Sequence, residues 1–288
     1  MITEHLIQQL HALRLRGMAD SLKQQLDARE CDALRFEERI NLMIQNEIAV
    51  RANVSLVKRL RWANIPIPEA CIEDIDKHVP RELDPLTLST VCEMGWLKKR
   101  LNVLITGPTG IGKSYLSSAL ANAAARAEYS VRCYRMSKLA EALGKAHALQ
   151  RRSALLKTLA KTDLLVLDDI GVVDFSDRLK RDLLDILDDR YNKKCTIATS
   201  QLAVRDWHSA LGDPTLADAI LDRIVHNAYK LEPSGDSVRR IIGLNGSLPT
   251  RVLGSKAARD PGDLAKALRI PPVGGSQTTT TSRSAESK

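Results

Sequence analysis

The sequence predicts an α/β protein, a parallel sheet with flanking helices, preceded by a small all-α N-terminal domain. Three observations carry that prediction. An apolar run leads into a glycine-rich turn and then a helical pattern across residues 101–127. A second apolar run, Leu164 to Leu167, ends in two acids, Asp168 and Asp169. Strand and helix patterns alternate from residue 101 onward, as a parallel sheet with crossover helices demands, whereas the residues before it show helical periodicity only.

The chain has 288 residues, enough for one sizeable α/β core and a smaller accessory domain. Its hydrophobic content is 44% and its aromatic content 3%, so the core is built mainly from Leu, Ile, Val and Ala. No apolar run approaches the ~20 residues that cross a bilayer, and Met1 to His5 lack a secretory layout. The five cysteines are scattered without a C-x-x-C pair, which suits reduced thiols in a cytoplasmic protein. The six histidines show no metal-ligand spacing. A formal charge of +8 favours a polyanionic partner. Residues 1–100 carry 15 basic and 15 acidic side chains, so the excess lies further along.

Ile2, Leu6, Leu10 and Leu13 recur at helical spacing, and a second helical pattern runs from Phe36 toward Leu60. Wound at about 100° per residue, its last part places Arg51, Lys58, Arg59 and Arg61 on one arc, uninterrupted by an acid. Val54, Leu56, Val57 and Leu60 fall mostly on the other side. A solvated charged face and a phosphate-contacting face both fit this arc. Pro66, Pro68, Pro80 and Pro85 then break any long helix. The expected organisation is a helical domain over 1–68, a connector over 69–100, the nucleotide-binding domain over 101–246, and a basic, Gly-, Pro-, Ser- and Thr-rich tail over 247–288 with the composition of a disordered segment.

Gly107-Pro108-Thr109-Gly110-Ile111-Gly112-Lys113-Ser114, continuing into Tyr115, has the form G-x-x-x-x-G-K-S between a strand and a helix. That context makes it a phosphate-binding loop. Its glycines let successive backbone N–H groups point at phosphate oxygens, and the helix N-terminus adds partial positive charge. Lys113 supplies a cation for the β- and γ-oxygens and Ser114 a ligand for Mg²⁺. This chain is expected to bind a nucleoside triphosphate.

A short strand near Val131 to Tyr134 and a helical stretch near 137–160 follow. The acids after Leu164 to Leu167 stand at the carboxyl end of a buried strand, 55 residues after Lys113. Asp168 is the candidate Mg²⁺ ligand, and Asp169 the candidate to orient or deprotonate the attacking water. After an amphipathic helix over 177–191, the β-branched run from Cys195 ends in Thr199, Ser200 and Gln201. These are either a γ-phosphate-sensing group or a polar turn. Arg223, near the end of the helix that starts at Asp213-Pro214, is placed either to reach a neighbouring subunit's γ-phosphate or to pair locally with Asp222.

Taken together, these motifs resemble the IstB-like ATPases, AAA+ helper proteins of bacterial insertion sequences and relatives of the DnaC-type helicase loaders. The resemblance covers roughly residues 5–245. It rests on Leu13-Arg14-Leu15-Arg16-Gly17-Met18-Ala19, on 102–116, on 164–171, on Asp189-Arg190-Tyr191, on 196–202, on 217–224 and on Gly235-Asp236-Ser237-Val238-Arg239-Arg240. It implies an AAA+ P-loop NTPase with a helical N-terminal domain, using ATP and Mg²⁺. It further implies ATP-dependent oligomers on duplex DNA, remodelling of that DNA, delivery to a cognate transposase, and hydrolysis as a switch in the bacterial cytoplasm.

The same resemblance makes Arg223 a trans-acting finger, Arg190 and Arg240 phosphate contacts, and the arc of Arg51, Lys58, Arg59 and Arg61 a DNA contact. The alternative it leaves open is a DnaC-like loader of a replicative helicase. Many AAA+ enzymes have Glu where this chain has Asp169, though IstB-like and loader-type proteins share the aspartate. The shorter side chain suits a slow switch better than a fast motor. No four-helix lid sequence follows residue 231.

Overall fold

The computed structural model describes residues 2–28, 31, 33–75, 83–171 and 175–235. Arg240, the tail over 247–288 and Pro80 lie outside these residues. The described residues fall into two compact units that divide between Val54 and Ser55.

The first unit contains α1 (Ile2–Ala12), α2 (Arg16–Asp27) and the first part of α3 (Phe36–Ala63). α2 and α3 approach closely because Gly17 has no side chain. A Cβ at that position would lie 2.7 Å from the Glu47 Cα and 2.8 Å from the Asn46 carbonyl oxygen. Asn46 Nδ2 donates to the Gly17 carbonyl at 2.7 Å, and the Met18 N–H donates to Glu47 Oε2 at 3.2 Å. α2 has no side-chain N-cap of its own, so the buried Glu47 carboxylate supplies acceptors for its first turn from across the interface. Burial pushes the Glu47 pKa up, but the hydrogen bond from Arg51 and the N–H groups of Met18 and Gly17 outweigh it and hold it below the usual range. Further along, Gln25 and Arg39 exchange side-chain and backbone bonds at 3.0 and 3.1 Å. The apolar periodicity of α1 does not translate into burial among the described residues, since Leu6 and Leu13 are exposed.

The second unit holds the end of α3, then α4 (Pro85–Cys92) and α5 (Gly95–Lys99), and a five-stranded parallel sheet. The strands are β1 (Asn102–Thr106), β2 (Val131–Arg135), β3 (Leu164–Ile170), β4 (Cys195–Ser200) and β5 (Ala228–Leu231), in the spatial order β2-β3-β4-β1-β5. The intervening helices are α6 (Lys113–Arg126), α7 (Met136–Ala148), α8 (Arg152–Lys161), α9 (Asp177–Arg190), α10 (Trp207–Leu211) and α11 (Pro214–Val225). β1 and β4 are buried at every position and β3 at all but Asp169, as strands covered on both faces should be.

The stretch expected as one helix over 137–160 is two, α7 and α8, broken where Gln150 takes φ 54°. β5 is a strand that the sequence pattern does not announce: it is short and lies at the sheet edge, with only Leu231 buried. Residues 64–75 lie against α6, where Asn122 Nδ2 donates to the carbonyls of Pro68 and Ala70 at 2.9 and 2.7 Å. Trp96 and Leu97 of α5 are buried in the core of this unit, while Lys98, Lys99 and Arg100, which follow them before β1, are exposed.

The fold of the first unit gives one prediction. Gly17→Ala should destabilise it by about 1–3 kcal/mol, the cost of forcing a methyl into a filled interface. Denaturant unfolding followed by circular dichroism would measure it, and an unchanged midpoint would show that α2 and α3 can separate without penalty.

Candidate nucleotide-binding site

The site lies at the carboxyl ends of β1, β4 and β3, where the sheet order puts β4 between the loop-bearing strand and the acid-bearing strand. β1 and β4 are in register through Thr106 opposite Ser200, and the Gly107 N–H donates to the Ser200 carbonyl at 3.1 Å. The chain then turns through Gly110 at φ 86° and Gly112 at φ 95°, conformations that a side chain would strain. Gly107 is needed for another reason, because a Cβ there would meet the Pro233 carbonyl oxygen at 2.5 Å. α6 starts directly after Gly112, so its first N–H groups and its dipole face the loop. Pro108 and Thr109 are exposed, Ile111 is buried, and Thr109 Oγ1 donates to Gln201 Oε1 at 2.7 Å. Lys113 is buried, with Nζ donating to the carbonyls of Gly107 and Pro108 at 2.6 and 2.8 Å. The ammonium therefore sits within the loop it is expected to serve. Tyr115 is half-buried in the first turn of α6.

β3 carries its two acids on a bulge. Leu167 faces Ala198 and Ile170 faces Ser200, so three steps of β3 oppose two of β4. Asp169 absorbs the extra residue at φ 60°. A bulge re-aims side chains, and here it lets two consecutive acids serve the same end of the strand. Asp168 is buried, and its Oδ1 and Oδ2 lie 3.2 and 3.1 Å from the Ser114 hydroxyl. Thr199 Oγ1 donates to Asp168 Oδ1 at 2.5 Å and accepts the Asp169 N–H at 3.0 Å. One hydroxyl thus ties both acids to β4. Asp169 Oδ2 pairs with the Arg135 guanidinium at 3.3 Å. On β2, burial first and the Asp168 charge second push the Cys133 thiol up to about 12, so it is not a nucleophile.

The oxygen set of Ser114 and Asp168 fits Mg²⁺, a hard cation commonly bound through one or two protein oxygens plus phosphates and water. Among the described residues no group of three or more His, Cys, Asp or Glu side chains forms an all-protein metal cage.

Two expected ligand contacts are corrected. Ser200 is buried and its hydroxyl is used within the protein, donating to the Ile170 carbonyl at 2.5 Å and accepting the Leu202 N–H at 3.1 Å. Thr199, its neighbour, makes the contacts to the acids. Arg190 is almost fully buried at the opposite end of the sheet, beside the amino ends of β3 and β4. Its guanidinium donates to Thr196 Oγ1 at 3.2 Å and to the carbonyls of Leu159, Thr162 and Asp163 at 2.6, 2.7 and 3.4 Å, as well as to Cys195. All five donors are used, so none remains for a phosphate. Burial lowers its pKa to about 10, which keeps it charged at neutral pH.

Arg223 also stands away from the phosphate loop of its own chain. Asn102, the first residue of β1, donates to the carbonyls of Arg223 and Ile224 at 3.2 and 3.3 Å. The loop begins at the other end of that strand, about 13 Å away at ~3.3 Å per residue. The guanidinium bonds to Asp188 Oδ1 at 2.9 Å and Asp222 Oδ2 at 3.1 Å, and the Asp188 hydrogen bond leads the causes that raise its pKa. The four cations of α3 do not form one uniform arc either. Arg51 is exposed and bonded to Glu47 at 2.6 Å. Arg59 is turned inward to the Ala125 carbonyl at 3.0 Å, while Lys58 and Arg61 are exposed.

A parallel sheet that places a phosphate loop beside a strand ending in two acids, with a further strand between them, defines a P-loop nucleotide-binding protein of the AAA+ type. The chain belongs to the IstB-like ATP-binding protein family, whose model matches residues 8–242. A protein of Sinorhizobium fredii (strain NBRC 101917 / NGR234), described as an insertion sequence ATP-binding protein (y4uH), is 42% identical over 81% of this chain and 93% of its own length. A protein of Pseudomonas fluorescens described as an ATP-binding protein of insertion sequence IS1162 is 39% identical over 70% of this chain and 87% of its own. Among solved structures, a DNA replication initiation factor superposes with a TM-score of 0.50 at 21% identity, covering 62% of this chain and 54% of that one. This last likeness is one of fold alone. ATP is accordingly the ligand of the family to which the chain belongs. No helix of the described residues is long and apolar enough to cross a membrane.

Arg190→Ala should cost about 3 kcal/mol or more, because it removes a buried guanidinium that donates to the carbonyls of Leu159, Thr162 and Cys195 and leaves a cavity in its place. Thermal melts should show the loss, while ATP affinity measured well below the new midpoint stays unchanged. A large loss of ATP affinity in a folded variant would restore the phosphate-contact role.

Proposed function

We propose that this chain is an ATP-dependent DNA-binding helper of transposition: it assembles on target duplex DNA, reshapes it, delivers it to the cognate transposase, and hydrolyses ATP as a switch. The observation that carries the reading is the chain of contacts beside the phosphate loop in which Ser114 bonds to Asp168 and the Thr199 hydroxyl ties Asp168 to the Asp169 N–H. That arrangement occurs in a chain whose relatives are described as insertion-sequence ATP-binding proteins.

In this mechanism the backbone N–H groups of residues 110–114 and the α6 N-terminus hold the β- and γ-phosphates. Lys113 exchanges its carbonyl partners, Gly107 and Pro108, for phosphate oxygens, which are stronger acceptors for an ammonium. Ser114 and Asp168 would hold Mg²⁺, which would supply positive charge against that of the phosphates. Thr199 keeps Asp168 oriented and fixes the backbone of Asp169. Asp169 orients or deprotonates the water, after its carboxylate leaves Arg135.

Arg223 acts in trans. It is too far from its own loop, and Asp188 holds it at the surface where a neighbouring subunit's site can receive it. ATP binding would then complete a site shared between subunits and so favour the oligomer. Lys58 and Arg61, with a lesser part for Arg51 and Arg59, contact DNA phosphates. These events take place in the bacterial cytoplasm, on the nucleoid when the protein is on DNA.

Lys113→Ala should lose ATP binding and ATP-dependent assembly, whereas Asp169→Asn should retain both and lose turnover by about 100-fold or more. Calorimetry and phosphate release measure the two, and normal hydrolysis by Asp169→Asn removes that residue from its role. Duplex affinity should tighten with ATP and Mg²⁺ and weaken steeply with salt, since phosphate contacts release counterions. Titrations across salt, with and without nucleotide, test this, and affinity indifferent to both sinks the DNA-binding reading. Capture of a hexameric helicase in place of the transposase would move the protein to the loaders.

A further inference from the structure

The last turns of α3 carry a constellation that the nucleotide site does not use. Lys58, Arg61 and Trp62 stand at positions i, i+3 and i+4, which share one face of a helix. All three are exposed, Trp62 at 48%, and Lys58 and Arg61 have no hydrogen-bond or ion-pair partner among the described residues. A lone exposed aromatic needs no explanation, but this one is held in place. The Arg132 guanidinium of β2 lies 4.5 Å from the centroid of the indole and 5.2 Å from that of Tyr134. Arg132 also donates to the Trp62 carbonyl and, at 3.3 Å, to the Tyr134 hydroxyl. The indole is therefore fixed from behind by a cation and flanked by two unpaired ones. Among the described residues, the acid paired with the adjacent Arg59 is Glu128, 4.0 Å away and itself exposed at 78% of its side chain.

We propose that this face is a nucleic-acid contact in which the open side of the Trp62 indole stacks on an unstacked base, while Lys58 and Arg61 grip the flanking phosphates. An acidic peptide would answer the cations but gives no use to a fixed aromatic surface. A nucleic acid answers both, because every base offers a π-face next to a phosphate. Arg132 is a positioning residue: by holding the indole it reduces the ordering cost of binding. A base that leaves the stack in a deformed duplex, or one in a single strand, is the matching ligand. The inference rests on the reading of this protein as DNA-binding and adds to it a mode of contact that reads distortion rather than sequence.

The chain has three tryptophans, and the other two, Trp96 and Trp207, are buried with their indole N–H groups bonded to the Val91 and Leu202 carbonyls. Emission changes on DNA binding therefore report on Trp62. The full-length protein is titrated with a fully paired duplex, the same duplex with one mismatched pair, and a single strand. Tryptophan emission and the anisotropy of labelled DNA are read together. Emission should fall on binding, most strongly with the mismatched duplex or the single strand.

Trp62→Phe should abolish the emission change while keeping most of the affinity. Trp62→Ala should bind the mismatched duplex about tenfold more weakly, with circular dichroism confirming that both variants are folded. Replacing Lys58 and Arg61 together by Ala should reduce the slope of log affinity against log salt by about 1–2. DNA bound by anisotropy, with Trp62→Ala matching the wild type in affinity, overturns the inference and leaves DNA binding intact, whatever the emission does. Absence of binding to all three DNAs overturns the DNA-binding reading itself.

Discussion

A buried carboxylate must be given donors or it costs several kcal/mol, and in this protein that requirement organises the candidate site. Asp168 is satisfied by two hydroxyls, Ser114 from the first turn of α6 and Thr199 from β4. Those two bonds fix the distance between the phosphate loop and the acid-bearing strand. Thr199 in turn accepts the N–H of Asp169, whose left-handed backbone would otherwise leave that donor unpaired at a bulge. Remove the hydroxyl of Thr199 and the two acids lose their common anchor, although neither is itself altered.

The sheet order makes this possible. Inserting β4 between β1 and β3 places its last residues in the middle of the site, within reach of both neighbours. The opposite end of the same sheet is locked separately. Arg190 gathers the carbonyls around the amino ends of β3 and β4, and Asn102 ties β1 to β4 and to the end of α11. One edge of the sheet is thus spent on rigidity and the other left with groups that a ligand can use. Arg223, fastened near the rigid edge, is oriented by Asp188 and has its own phosphate loop out of reach.

Much of this was legible in the sequence because it is local. The phosphate loop is eight consecutive residues whose glycines and lysine have fixed offsets, and the acids of β3 directly follow their apolar run. Helix starts were readable for the same reason, as where Asp213 accepts the Leu216 N–H at 3.1 Å ahead of Pro214. Ser200 and Arg190 were misread because adjacent residues on a strand, or the two ends of a strand, differ by direction rather than by composition. Thr199 and Ser200 are both hydroxyl residues at a strand end, and only the register against β3 decides which one meets the acids. Arg135 left no local mark at all, since its pairing with Asp169 depends on β2 lying beside β3.

By itself, then, the chain's order of residues determined that there would be a phosphate loop, a pair of acids at the end of a buried strand, a parallel sheet to carry both and a helical region in front. Those features are written in short-range spacing, where the backbone's own geometry does the selecting. Which hydroxyl joins the acids, which arginine is locked inside and which cations of α3 stay free were decided by the tertiary structure. Each depends on groups distant in sequence meeting in a low-dielectric interior, where a donor that finds an acceptor is no longer available to a ligand.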